Sequence, residues 1–297
     1  MAPITTNSVV PPRQSGKRPL KRVVGISGAW GLRNYTIRDI RDLKGVRSLT
    51  QTCVFLPEEA AAAEEAGIDM LATRFVPGSE AEAIAIRQAA PHTIMGFGVP
   101  MSSVASEAEA LRLAFDAMEA GADWIHCQWK LSFVATLAQA GIPVQGHVGL
   151  VPRKSTWTGG LRAVGKTVDE AMKVYQEIKD LERAGAWAVE IEVVPARLTA
   201  ELTKRTSLTT VSTGAGPAGD IQLLFAQDLL GDGKPPFPRH GKQYCDLWKM
   251  RQKMQEMRVT AFKQFAEDVR GGDFPGPEHI VEIGEDVAEQ FTEAVDR

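Results

Sequence analysis

The chain has 297 residues, 44% of them hydrophobic, enough to bury one large core and within the range where α/β barrels run as a single unit. Its 34 basic and 37 acidic side chains are mixed along the sequence and leave a formal charge of −3. That excludes a field strong enough to recruit nucleic acid or anionic lipid, so a small-molecule substrate is the expected partner, with no nucleic acid and no membrane.

The opening stretch "MAPITTNSVVPPRQSGKRPLKR" lacks the apolar centre of a secretory signal. Residues 1–20 read as a disordered tail, 21–242 as the body of the fold and 243–297 as a helical extension. No apolar run approaches the roughly 18 residues of a membrane span. Cys53, Cys127 and Cys245 are widely spaced, without a CxxC, which suits a reducing compartment and a cytoplasmic location.

From Val46 onward, apolar runs alternate with helix-like segments. "RSLTQTCVF" reads as a strand and "PEEAAAAEEAG" as a helix with Pro in its first turn and Gly past its end. "IDMLATRF" is the second strand, and "SEAEAIAIRQAA" is a helix opened by a Ser cap with Glu three residues on. "TIMGFGVP" and "SEAEALRLAFDAMEAG" repeat the pair. "DWIHCQW" with "LSFVATLAQAG" follows, then "PVQGHVGL", a long Gly-, Ser- and Thr-rich loop, and "TVDEAMKVYQEIKDLERAG". "AWAVEIEVVP" with "ARLTAELTKRT", then "SLTTVSTGAG" and "DIQLLFAQDLL", complete eight strand candidates. Strands alternating with helices of this length predict parallel pairing with right-handed crossovers, and eight units without a long break favour a closed (β/α)8 TIM barrel over an open doubly wound sheet. The repeated Ala-Gly before an apolar run marks the helix C-cap that feeds each next strand. In the C-terminal segment, Leu247, Met250, Met254, Met257 and Phe262 recur near helical spacing, which predicts a helix packed on the barrel or on a neighbouring subunit of a homo-oligomer.

Barrel chemistry sits at the C-terminal ends of the strands, so the residues closing each apolar run are the ones to read. "GIPVQGHVGLVPRKSTWTGGLRAVGKT", "AVEIEVVPARLTAELT", "VSTGAG", "DLLG" and "GGDFPGPEH" together resemble the ketopantoate hydroxymethyltransferase family, in order from about Thr36 to His279. The resemblance implies a barrel of the phosphoenolpyruvate/pyruvate type that performs an aldol-type addition. An enolate formed from a branched 2-oxo acid takes up a one-carbon unit from methylenetetrahydrofolate, and a divalent metal holds the oxo acid. Glu192 falls on the family's acid/base glutamate and His147 on its substrate-contacting histidine.

The sequence departs from that pattern where the family binds metal. Thr73, Arg74 and Phe75 stand at the end of the second run, Gly98 at the end of the third, and His126, Cys127, Gln128, Trp129 and Lys130 at the end of the fourth. Every family carboxylate there is replaced by a neutral or basic residue. Hard ions want oxygen ligands, so no magnesium site of the family type and no resident cofactor are expected, leaving methylenetetrahydrofolate only as the resemblance implies it. A metal site rebuilt from Cys127 or His126 with His147 stays open, since imidazole and thiolate suit zinc or iron better than magnesium, but strand neighbours point to opposite faces, so Cys127 is expected to be buried away from His126 and Gln128.

Three readings stay open. One keeps enolate chemistry on a 2-oxo acid or related carbonyl compound, with Glu192, His147 and His126 catalytic and donors such as His126, Arg74 or Lys130 stabilising the oxyanion. Another is a repurposed barrel for hydrolysis, retro-aldol cleavage or rearrangement, gripping a larger or flatter ligand with Phe75, Phe97, Trp129 and Trp157; Arg74, Phe75, Gln128, Trp129, Lys130 and Trp157 are the expected substrate-binding residues. The third is a non-catalytic binding homologue.

Overall fold

The computed structural model describes residues 19–128 and 130–297. The expected disordered tail, apart from residues 19 and 20, and Trp129 both lie outside the described residues. The first elements are ones that the sequence pattern did not show. Strands β1 (Lys21–Val24) and β2 (Trp30–Arg33) pair antiparallel, and a short helix, Ile37–Asp42, follows with a Thr36–Asp39 capping box.

Eight parallel strands then close a barrel in chain order. They are β3 (Leu49–Cys53), β4 (Met70–Arg74), β5 (Ile94–Gly98), β6 (Trp124–His126), β7 (Val144–Gly149), β8 (Ala188–Glu192), β9 (Thr209–Thr213) and β10 (Ile221–Phe225), with β10 returning to β3. Each corresponds to one of the eight predicted runs. Helices cross over after β3 through β8, whereas the short loop 214–220 alone joins β9 to β10. The Ala-Gly glycines Gly67, Gly121, Gly141 and Gly185 take positive φ and end their helices. One predicted cap is not formed: Ser79 makes no capping bond, and Glu80 instead accepts from the Gly78 N–H at 2.8 Å. In the following unit Ser106 does cap, accepting from the Glu109 N–H.

Parallel register assigns each strand residue to a face, since paired residues share one. Leu49, Met70, Ile94, Trp124, Val211 and Ile221 form the interior floor. Trp124 fills this layer and meets Trp187 edge to face at 5.8 Å. It fits only because β5 offers no side chain opposite: a Cβ on Gly96 would lie 2.1 Å from the indole. The outward faces pack against the helices in a second cluster that includes Leu71, Phe97, Ile125 and Val189.

Three aspartates at the N-terminal ends of strands tie the floor to the segments beneath. Asp69 accepts from Tyr35, Arg47 and Thr50, and Asp220 from Lys44 and Thr210. Asp123 accepts from Arg33, Arg87 and the Met95 N–H. These contacts explain why the polar N-terminal segment is ordered, and their position opposite the strand C-termini is one of stability rather than chemistry. Burial pulls the Arg87 guanidinium down to about 10 against the pull of Asp123.

The long helix Leu247–Gly271 has no buried residue; its first turns touch the body of the chain through the Trp248 N–H on the Gly231 carbonyl and the Arg251–Asp232 ion pair. Met250, Met257 and Phe262 are each more than 60% exposed.

Asp123→Asn removes the charge facing a guanidinium whose side chain is 8% exposed. It is expected to cost about 3 kcal/mol, as for a broken buried pair, measured as a lower urea midpoint at unchanged slope. A loss under about 0.5 kcal/mol would contradict the role given to Asp123.

Candidate active site

The inward residues at the C-terminal ends of the strands form a crater. On β8 they are Glu190 and Glu192; on β7, His147; on β6, His126; on β4, Arg74; on β9, Thr213. The register pairs His147 with Glu190 and Glu192 with Thr213, so alternation carries all of these side chains to the same face.

Glu190 is the centre of the group, with a side chain 3% exposed. Its Oε2 lies 3.1 Å from His126 Nε2 and 4.0 Å from His147 Nδ1. Its Oε1 accepts from the Thr213 hydroxyl at 2.8 Å. His147, with a side chain 1% exposed, turns its other nitrogen, Nε2, to Glu192 Oε2 at 3.1 Å. The two imidazoles stack with centroids 5.6 Å apart. Despite these short approaches, His126 Nε2 and both ring nitrogens of His147 are buried without an aligned hydrogen-bond partner. The contacts are therefore charge proximity, not directed N–H bonds.

Burial works against positive charge on His147, but Glu190 and Glu192 prevail and hold the imidazole above its ordinary value. Burial likewise disfavours charge on Glu190, and the two imidazoles with Thr213 overcome it, holding the carboxyl well below the usual range. Cys53 also faces this interior. Burial, reinforced by Glu190, pushes its thiol up to about 12, so it is no nucleophile at neutral pH.

Glu192 is held by backbone on both sides. Its carbonyl accepts from the Leu150 N–H at 2.8 Å, and the next residue, Val193, donates to Thr213 and accepts from Val164. Val193 has φ 49, the only positive φ at a non-glycine residue among those described. For a β-branched side chain that is strained backbone, of a kind that persists where the surroundings enforce it. The close fit to β7 requires Gly149, which has φ 85 and whose added Cβ would fall 2.4 Å from the Glu192 carbonyl oxygen.

The other predicted site residues are distributed unevenly. Arg74 reaches the crater, with its guanidinium 4.6 Å from the centroid of Phe55, which stacks on Phe225; among the described contacts it has no acidic partner. Gln128 is half-buried just beyond β6, and Lys130 is exposed at the start of the next helix. Phe75 does not line the crater. It is 1% exposed and stacks on Phe97 in the cluster between barrel and helices. Alternation decides this: the residue after inward Arg74 must point out, just as Cys127, 1% exposed, does after His126. Trp157 is 91% exposed at the tip of the long loop, whose far end is pinned by Glu170, which accepts from Gly165, Lys166 and Arg162.

Glu190 is the residue that sequence reasoning missed. Its signal is present in "EIE", where a second glutamate two residues before Glu192 occupies the same face of a strand otherwise apolar. That omission bears on the metal expectation. Carboxylates are absent from the ends of β4, β5 and β6, and the atoms nearest a would-be Gly98 Cβ are the Thr73 carbonyl oxygen and the His126 side chain. His126, His147 and Glu190 each offer a ligand atom within 4.8 Å of the others, so the crater does hold a group of possible metal donors and the expectation that magnesium is unlikely is not supported. The donors present are of the nitrogen-and-carboxylate kind that suits a borderline ion.

Fold and site together define a (β/α)8 barrel that carries a buried acid–imidazole cluster at the strand C-termini. The sequence profile described as ketopantoate hydroxymethyltransferase matches residues 80–277. The 3-methyl-2-oxobutanoate hydroxymethyltransferase of Kosmotoga olearia is 34% identical over 268 residues, spanning 84% of this chain and 98% of its own. That of Thermus thermophilus is 34% identical over 264 residues, spanning 82% and 98%. This chain belongs to the ketopantoate hydroxymethyltransferase family. Among solved structures, 2,3-dimethylmalate lyase, of the PEP mutase/isocitrate lyase superfamily, shares the fold with a TM-score of 0.52 at 14% identity, over 76% of this chain and 88% of that one. No helix among the described residues is long and apolar enough to cross a membrane.

Gly149→Ala forces a side chain into left-handed backbone and against the Glu192 carbonyl. A loss of about 2–4 kcal/mol in urea unfolding is expected. A variant as stable as the parent would show that β7 does not fix Glu192.

Proposed function

We propose that this chain is an enzyme that makes or breaks a C–C bond beside a carbonyl, by way of an enolate formed from a 2-oxo acid or a related carbonyl compound. The observation that carries the reading is Glu192 at the mouth of the crater. Its carboxylate is 14% exposed, backed by buried His147 and fixed by strained backbone, as a base that must reach a carbon-bound proton requires.

Arg74 supplies what a 2-oxo acid needs at its other end. A guanidinium without an acidic partner, supported on the Phe55 ring, can take the substrate carboxylate through paired N–H bonds. Glu192 then removes the proton from the carbon beside the carbonyl. The negative charge that develops on the carbonyl oxygen is met by His126, whose Nδ1 lies 3.9 Å from the position of a Gly98 Cβ and so faces the space left by that glycine. A donor placed there in advance stabilises the enolate without reorganisation. The electrophile that the enolate attacks in the family, a one-carbon unit carried by methylenetetrahydrofolate, is part of the proposal by family membership alone.

The repurposed-barrel reading loses its main support, because Phe75 and Phe97 are core residues and Trp157 stands out in solvent. Decay to a binding protein is disfavoured by the second glutamate, since an idle site gains nothing from a buried carboxylate that must be neutralised. The chain is further proposed to assemble as a homo-oligomer, because the helix Leu247–Gly271 presents methionines and phenylalanines that its own barrel leaves uncovered.

Solvent deuterium exchange into branched 2-oxo acids tests the proton-transfer half of the chemistry without a co-substrate. Exchange at the carbon beside the carbonyl is expected, falling by about 10²–10⁴ in Glu192→Gln with folding unchanged. Full exchange in that variant, or none in the parent with any oxo acid, would overturn the reading. In light scattering, a mass of several chains at micromolar concentration is expected, and a monomer would contradict the proposed assembly.

A further inference from the structure

Glu190 needs a positive partner, and the structure offers two kinds. A proton on either imidazole could serve, but a protonated ring paired with a carboxylate aims an N–H at an oxygen. That is not the arrangement here. His126 Nε2 approaches Glu190 Oε2 to 3.1 Å and His147 Nδ1 to 4.0 Å, and neither forms an aligned bond to it. His147 is the telling residue, since its side chain is 1% exposed and no water can easily satisfy its nitrogens. A charge placed among the three atoms would be addressed by both ring lone pairs and the carboxylate together. Two of the separations are 3.1 and 4.0 Å, and all three atoms lie within 4.8 Å of one another, so a small inward shift brings them to one ion. Ligand atoms about 2.0–2.2 Å from one ion lie roughly 3–4 Å apart from each other.

We infer that His126, His147 and Glu190 form a binding site for a borderline divalent transition ion of the zinc type, set between the end of β6 and the last inward level of β7 and β8. The surroundings match what such sites require. His147 turns its second nitrogen to the Glu192 carboxylate at 3.1 Å, and Thr213 donates to the second oxygen of Glu190 at 2.8 Å. Metal-binding imidazoles and carboxylates are usually oriented by such partners. Three protein ligands below an open crater leave further positions facing the substrate space. Two nitrogens and one oxygen favour zinc, cobalt or ferrous iron over magnesium. The ion would polarise a carbonyl brought into the crater.

The test uses full-length protein freed of any histidine tag, and no substrate, so its outcome is independent of the reaction proposed above. After chelation, zinc or cobalt is titrated and metal is quantified by mass spectrometry, with the visible absorption of cobalt reporting nitrogen coordination. About one ion per chain is expected, with magnesium failing to compete at equal concentration. Glu190→Gln and His126→Gln should weaken binding by more than the roughly 10–100-fold that loss of an outer partner costs, and Thr213→Val by a factor within that range. If Glu190→Gln does not fold, the His126 and Thr213 variants carry the test. Folded protein that binds neither zinc nor cobalt would overturn the inference. So would binding unchanged in the His126 variant, or magnesium bound as tightly as zinc.

Discussion

A carboxylate enclosed by a barrel costs several kcal/mol in lost hydration unless positive charge stands in contact with it, and Glu190 is such a carboxylate. The crater can be read as the means of meeting that cost. β6 and β7 each contribute a histidine at the level of Glu190, β9 contributes the Thr213 hydroxyl, and Glu192 balances the far side of His147. Remove Glu190 and the two imidazoles lose the reason for their stacked approach. Keep it, and His147 stands between two carboxylates, Glu190 on one side and Glu192 on the other.

The same constraint links packing to chemistry. Charged groups can occupy the upper interior because the floor below is sealed by Trp124 and its neighbours, and because the aspartates beneath it fix the strand ends to the N-terminal segment. Glu192 sits where the interior opens, between buried His147 and the solvent-facing crater. Its surroundings thus change over a few ångströms from an enclosed, charge-paired interior to an open crater flanked by Arg74.

The barrel was legible in the sequence because its beat is local: Ala-Gly helix ends, apolar runs and helices of regular length repeat through eight units. The β1–β2 hairpin was not, since "KRVV" and "WGLR" are short, largely exposed and held by ion pairs from distant aspartates rather than by any pattern of their own. Within the site, Glu192 and His147 were visible through motif context, and the burial of Cys127 followed from alternation. The same alternation, applied to "TRF", puts Phe75 in the core, and applied to "EIE" brings Glu190 into the site. Both follow from strand phase, which is fixed only once the inward residue of each strand is known. Arg74 takes on significance from its lack of an acidic partner, which no sequence pattern reports.

The central claim is that the crater binds an oxo acid between Arg74 and Glu192, above the Glu190 cluster. A crystal structure with a branched 2-oxo acid at saturating concentration addresses it directly. The account predicts the ligand carboxylate paired with the Arg74 guanidinium and the carbon beside the carbonyl within reach of Glu192, at roughly hydrogen-bond range. A crater without ligand, or a ligand seated with its reactive carbon turned away from Glu192, would contradict it.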